Sequence, residues 1–171
     1  MKTNVEVRQC GLDIIDLIED LERRIFRPSE VYTRGFLEWL CENCSNSSYV
    51  AIKDGVYVGY IITCIDRPGQ GHIVSLGVLT EYRRMGVGKL LMCSSICRLR
   101  GIVNSIVLEV RVSNDAAINL YRSLGFRIHH TIPGYYSDGE SAYFMILDNE
   151  YLNQAYLKCQ CGSEQGSLHH P

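Results

Sequence analysis

The chain has 171 residues, 46% of them hydrophobic and 21% charged, with a formal net charge of -2 and eight cysteines. That length and apolar share suffice for one domain with a real core and exclude a disordered or collagen-like chain. The near-neutral balance argues against a protein that coats nucleic acid, no run reaches the ~18 apolar residues of a membrane span, and MKTNVEVRQC lacks a signal-peptide layout. The expectation is a soluble cytoplasmic protein with no nucleic-acid or membrane partner.

In chain order, NVEVRQ alternates and predicts a first strand, and LDIIDLIEDLERRIF carries Leu12, Ile15, Ile18, Leu21 and Ile25 at helical spacing. VYTRGFLEWLCEN, with Phe36, Leu37 and Leu40, predicts a second helix before the polar loop SNSS. The period then changes: YVAIK and VYVGYIITCI read as antiparallel strands joined by Asp54-Gly55, the signal for a type I′ turn. A further strand, GHIVSLGVL, leads through EYRRMGVG into the helix GKLLMCSSICRLRG, which ends at Gly101. SIVLEVRV is the next strand; Ser113-Asn114 can cap the helix DAAINLYRSL, and Gly125 stops it. FRIHHTI and SAYFMILD are the last two strands, around the loop PGYYSDGE. Residues 1–150 therefore read as one α/β domain of order βααβββαβαββ around a mixed sheet, and residues 151–171 as a polar tail containing Cys and His.

The cysteines leave three readings open. Cys64, Cys93 and Cys97 suit packing as small buried apolar residues. A zinc site would draw on Cys41, Cys44, Cys159, Cys161, His169 and His170, although a second C-x-x-C knuckle is missing. Disulfides are the third possibility.

EYRRMGVGKLL, residues 81–91, lies between a strand and a helix. There up to four amide N–H groups lack an intrahelical partner and the helix dipole is positive, so the segment is an anion seat. Glycines admit a phosphate close to those amides, and Arg83, Arg84 and Lys89 add charge, which favours a pyrophosphate. The G-x-x-x-x-G-K-[ST] pattern is absent, as are the third glycine and following acidic residue of dinucleotide folds. The plainer reading is a tight turn beneath solvated arginines.

R-x-x-G-x-G at Arg83 to Gly88, after a strand and opening a helix, resembles the acetyl-CoA signature of the GNAT acetyltransferases. GHIVSLGVLTEYRRMGVG, LEVRVSNDAAINLYRSLGF and GYYSDGESAYFM are similar to segments of protein N-terminal acetyltransferases, namely the bacterial RimI type and archaeal relatives of the NatA catalytic subunit. The resemblance implies a GNAT fold, a mixed and mostly antiparallel central sheet flanked by helices. It implies acetyl transfer from acetyl-CoA to the α-amino group of protein N-termini, ribosomal proteins among the candidates. It leaves open an auxiliary subunit and the choice between monomer and dimer, and it implies no metal in the site.

Residue by residue, the resemblance implies that Arg83, Arg84, Gly86, Val87, Gly88 and Lys89 hold the pyrophosphate, while Leu76 and Val78 meet the pantetheine arm and the thioester carbonyl. Asn114 and Tyr121 face the cofactor, and Tyr121 protonates the leaving thiolate. Glu109 is the implied general base acting through water, with His72 a second candidate. Glu30 and Tyr32, shifted in register by Ser29, would stand beside the incoming N-terminus, with Glu30 also a catalytic candidate; Tyr135 and Tyr136 would line the peptide groove. From periodicity alone, Glu109 shares a strand face with Val107 and Arg111 and equally fits a surface ion pair with Arg111, and Tyr121 fits a core aromatic. A GNAT enzyme acting on lysine or a small amine, and a non-enzymatic acyl-CoA or metal-binding module, are the alternatives.

Overall fold

A computed structural model describes residues 4–162. Strands β1 (Val5–Gln9), β2 (Tyr49–Lys53), β3 (Val56–Arg67), β4 (Gln70–Val78), β5 (Ser105–Arg111), β6 (Arg127–Ile132) and β7 (Ala142–Asp148) form one sheet. Its order is β1-β2-β3-β4-β5-β7-β6. Helices α1 (Ile15–Ile25), α2 (Arg34–Cys44), α3 (Val87–Arg98), α4 (Asp115–Leu124) and α5 (Asn149–Lys158) accompany it. The expected element order is present, with α5 added. No helix among the described residues is long and apolar enough to cross a membrane.

Local chemistry sets the element ends. The Thr33 side chain accepts from the Phe36 N–H at the start of α2, and Asn114 accepts from the Ala117 N–H at the start of α4. Asp54 and Gly55 both have positive φ, 50° and 77°, as a type I′ turn demands. One expectation fails: a 3-10 turn over Leu12–Ile14 precedes α1, so Ile14 is 3% exposed while Leu12 is 47% exposed. The tighter turn changes which residue faces inward.

The apolar residues divide between two clusters on the two sheet faces. Ile18, Leu21, Leu37 and Leu40 of α1 and α2 pack with Tyr60 and Ile62, whereas Ile61 packs with α3, α4 and α5. The alternation of strand side chains assigns them.

Every strand pair is antiparallel except β4–β5, which is parallel and pairs only Gln70–Ile73 with Ser105–Leu108. On the other side of β4 the register jumps: Ser75 faces Ile62 and Ile73 faces Thr63, so Val74 is an extra residue. Such a bulge bends its strand. It falls where the β4–β5 pairing ends, leaving the ends of both strands without each other as partners.

The polar tail expected from residue 151 is corrected over residues 151–162. Leu152, Ala155 and Tyr156 of α5 are buried, at helical spacing within otherwise polar sequence, and Cys159 and Cys161 are bonded to Cys93 and Cys97 of α3. A third disulfide joins Cys44 and Cys64. Packing as free thiols is therefore overturned for Cys64, Cys93 and Cys97. Cys44, Cys159 and Cys161 of the zinc alternative are committed to sulfur bonds, and His169 and His170 lie outside the described residues. Cys10 and Cys41 remain as buried thiols, their sulfurs 2.8 Å apart.

The two bridges between α3 and the α5 end close nearly the same loop, with sequence separations of 66 and 64, so the second adds little chain entropy. Full reduction should lower the thermal midpoint by roughly 5–10 °C. Cys159→Ser, which leaves Cys97–Cys161 closed, should lower it by less than half as much in a melt without reductant.

Candidate active site

Beyond their paired segments, β4 and β5 border a cleft of about 920 Å³. Ile73–Val78 and Leu108–Arg111 form its walls, α3 and α4 supply one end, and Tyr32, Tyr135 and Tyr136 supply the other.

At the first end, Leu76, Val78, Arg83, Arg84, Gly86, Val87, Gly88 and Lys89 all line the cleft, so the residues grouped by the sequence meet. Gly86 has φ +81° and supplies no side-chain cap to α3; a Cβ there would meet nothing, so backbone conformation alone requires glycine. Leu90 N–H closes the first turn on the Gly86 carbonyl, and the amides before it are free in that turn to hold an anion. Arg83 Nε donates to the Val78 carbonyl at 3.0 Å and ties this loop to the end of β4. Asn114 and Tyr121 also line the cleft; burial, with a smaller contribution from Tyr136, pushes the Tyr121 phenol well up, so it stays protonated.

Midway, Glu109 projects from β5. Its Oε2 lies 2.8 Å from His72 Nε2, and His72 Nδ1 lies 2.5 Å from Asp66 Oδ2. The parallel register sets His72 against Val107, which shares a face with Glu109, so strand geometry dictates the contact. The Glu109 hydrogen bond raises the pKa of His72 against the opposing effect of burial, and Asp66 adds to the rise. The surface pair of Glu109 with Arg111 does not form.

Arg111 turns to the far end instead. It bonds Glu30 through Nε at 2.9 Å, Asp138 through Nη1 at 3.0 Å and Glu140 through Nη1 at 2.6 Å, and its guanidinium lies 3.9 Å from the Tyr136 ring centre. One cation thus ties the segment between α1 and α2 to the loop between β6 and β7. The Glu140 N–H and then Arg111 hold the Asp138 carboxyl below its usual range; the Ser113 hydroxyl and then Arg111 do the same for Glu140.

Tyr32 has a second anchor. Its N–H donates to Glu22 at 3.1 Å, and its hydroxyl donates to the carbonyl of the bulged Val74 at 3.4 Å. Glu22 is 1% exposed and also accepts from the Tyr60 hydroxyl; burial raises its pKa while these bonds oppose the rise. Burial, with Glu22 adding, pushes Tyr32 up to about 12. Tyr135 and Tyr136 meet edge to face at 5.0 Å.

All the residues singled out from the sequence line the cleft except His72, which stands behind Glu109. The sequence reading missed Arg111, Asp138, Glu140, Glu22 and Asp66 as parts of the site. Glu22 carried a signal, since it sits four residues after Ile18 on the apolar face of α1. Asp138 and Glu140 stood inside the quoted YYSDGE segment.

A helix N-terminus opened by glycine at the mouth of two splayed parallel strands, with a carboxylate between them, suits a phosphate-bearing ligand at one end and proton transfer in the middle. The model of the acetyltransferase (GNAT) family matches residues 12–126, and the chain belongs to that family. It is 37% identical over 152 residues to a protein named N-alpha-acetyltransferase from Sulfurisphaera tokodaii, covering 81% of this chain and 90% of that one. Among solved structures it is similar to Ard1 from Thermoplasma volcanium, with TM-score 0.77, 30% identity, and 84% and 97% coverage. The ribosomal-protein-S18-alanine N-acetyltransferase from Escherichia coli gives TM-score 0.75 at 26% identity, covering 84% and 93%. The relatives put the chain among N-alpha-acetyltransferases.

Arg111→Ala leaves Glu30 and Glu140 partly buried without their cation. Chemical denaturation should show a lower midpoint, with the loss limited because Asp138 is solvated. Limited proteolysis should cut faster within residues 133–141.

Proposed function

We propose that the protein transfers the acetyl group of acetyl-CoA to the N-terminal α-amino group of proteins by direct attack. The observation that carries this reading is the Glu109 carboxylate, which lines the cleft between the splayed strands and is backed by His72 at 2.8 Å. The names of the relatives support the N-terminal acceptor.

The free amides at the start of α3, with Arg83, Arg84 and Lys89, suit the pyrophosphate of acetyl-CoA. The unpaired edge of β4 at Leu76 to Val78 offers strand-like bonds to the pantetheine amides, and the Val78 N–H serves as the donor for the carbonyl oxygen as charge develops on it. The substrate N-terminus enters between Glu30–Tyr32 and Tyr135–Tyr136. Glu109 takes the ammonium proton through water, the amine attacks the thioester carbon, and Tyr121 protonates the departing thiolate. Glu30 Oε1 is engaged by Arg111, so we assign Glu30 to shaping the groove and the proton transfer to Glu109.

The acceptor preference has a physical basis. An α-amino group has pKa about 7.7–8.0 and lysine about 10.4, so a lysine acceptor needs roughly 3.4 kcal/mol more to present a neutral amine. A site with one carboxylate–imidazole pair suits the easier acceptor.

The test pairs a lysine-free peptide with a free N-terminus against an N-terminally blocked peptide carrying lysine, each with acetyl-CoA and mapped by mass spectrometry. Acetylation of the first alone is expected; acetylation of the blocked peptide alone overturns the reading in favour of a lysine enzyme. Glu109→Gln should lower kcat roughly 100-fold or more while leaving acetyl-CoA binding unchanged by calorimetry. Equal loss of both would remove its role as base.

A further inference from the structure

Asp66 lies outside the cleft lining, yet its carboxylate meets the one nitrogen of His72 that Glu109 does not reach. How it arrives there is a matter of register. In the β3–β4 hairpin, Ile65 faces Gly71 and Arg67 faces Gln70, so Asp66 has no partner across the ladder. His72 is paired with Cys64, and Asp66, two positions further along β3, shares the face of Cys64, so alternation sets its carboxylate diagonally across from the imidazole.

The three side chains form a row graded in exposure, with Glu109 at 18%, His72 at 23% and Asp66 at 47%. The inner member borders the cleft and the outer one meets solvent. We propose that Asp66 is a positioning residue that completes a proton exit, Glu109 to His72 to Asp66, for acetyl transfer. This rests on the assignment of Glu109 as the base.

Each acetylation releases one proton from the ammonium, and Glu109 must lose it before the next turnover. An ionised Asp66 accepts from Nδ1–H and so fixes the neutral tautomer whose Nε2 lone pair faces Glu109. Protonated Glu109 passes its proton to Nε2, which gives an imidazolium between two carboxylates. The imidazolium gives its Nδ1 proton to Asp66 and thence to water, and the partly exposed ring re-equilibrates its tautomer with solvent. One proton enters and one leaves.

The groups facing His72 are Asp66 from β3 and Glu109 from β5; Tyr32, Tyr135 and Tyr136 face Glu109 in turn. Asp66 favours the protonated ring. Its removal therefore moves the acid limb of the kcat/KM profile to lower pH while withdrawing the outlet.

The experiment measures kcat and pH profiles with the lysine-free peptide for wild type, Asp66→Asn, Asp66→Glu and Glu109→Gln. Asp66→Asn should lower kcat about three- to tenfold near neutral pH, with KM for acetyl-CoA unchanged and the acid limb shifted down by roughly half a unit to one unit. Raising the concentration of a small imidazole buffer should restore much of its rate, and Asp66→Glu should restore the profile. Wild-type kcat and profile in Asp66→Asn would overturn the exit, as would a slow variant with an unmoved limb and no response to buffer. Either of these beside an inactive Glu109→Gln leaves the base assignment standing. A fully active Glu109→Gln removes the base and the exit together.

Discussion

The site depends on two neighbouring strands parting company. Among the described residues β4 and β5 are the one parallel pair, and they pair only as far as Ile73 and Leu108. A continuous ladder would satisfy the strand edges internally. The Val74 bulge ends it early and leaves a gap with unpaired backbone edges facing inward. In the proposed reaction, cofactor amides pair with one edge and the Glu109 side chain from the other reaches the reacting centre. The loop before α3 extends the same gap, because Arg83 is hydrogen bonded to the last carbonyl of β4.

Charge then organises the gap at two levels. Arg111 gathers carboxylates from segments far apart in sequence and lies against Tyr136, so one guanidinium sets the spacing of the Glu30 segment and the β6–β7 loop at the far end of the cleft. Glu22 works from beneath, buried under α1 and bonded to the Tyr32 backbone. A buried carboxylate is tolerated only when its oxygens are satisfied, and here the Tyr60 hydroxyl and the Tyr32 N–H do this. The alternative pairing of Glu109 with Arg111 stayed open in the sequence because strand alternation reports a shared face and says nothing of which loops arrive above it.

Two of the three disulfides, Cys93–Cys159 and Cys97–Cys161, secure the opposite face of the sheet. They attach the segment that follows α5 to α3, the helix whose N-terminus opens the cleft, so residues 149–162 brace that end of the cleft from behind. Its apolar residues Leu152, Ala155 and Tyr156 enter the same cluster as Leu91 and Ile96 of α3.

The element order was legible in the sequence because hydrophobic period, Asp54-Gly55, Asn114 and Gly125 act over a few residues. The gathering of Arg83, Arg84, Gly86, Gly88 and Lys89 at one end of the cleft was legible for the same reason, since they lie within one short segment at a helix start. Residues 149–162 were not: α5 is mostly polar, and its three buried residues count only once α3 stands beside them. The identity of each cysteine partner, the pairing of Glu109 with His72 rather than Arg111, and the contacts of Glu22, Arg111 and Asp66 were decided by tertiary structure alone. Each depends on strand register or on loops remote in sequence, and a one-residue bulge is enough to redirect a side chain without leaving a mark in the local pattern.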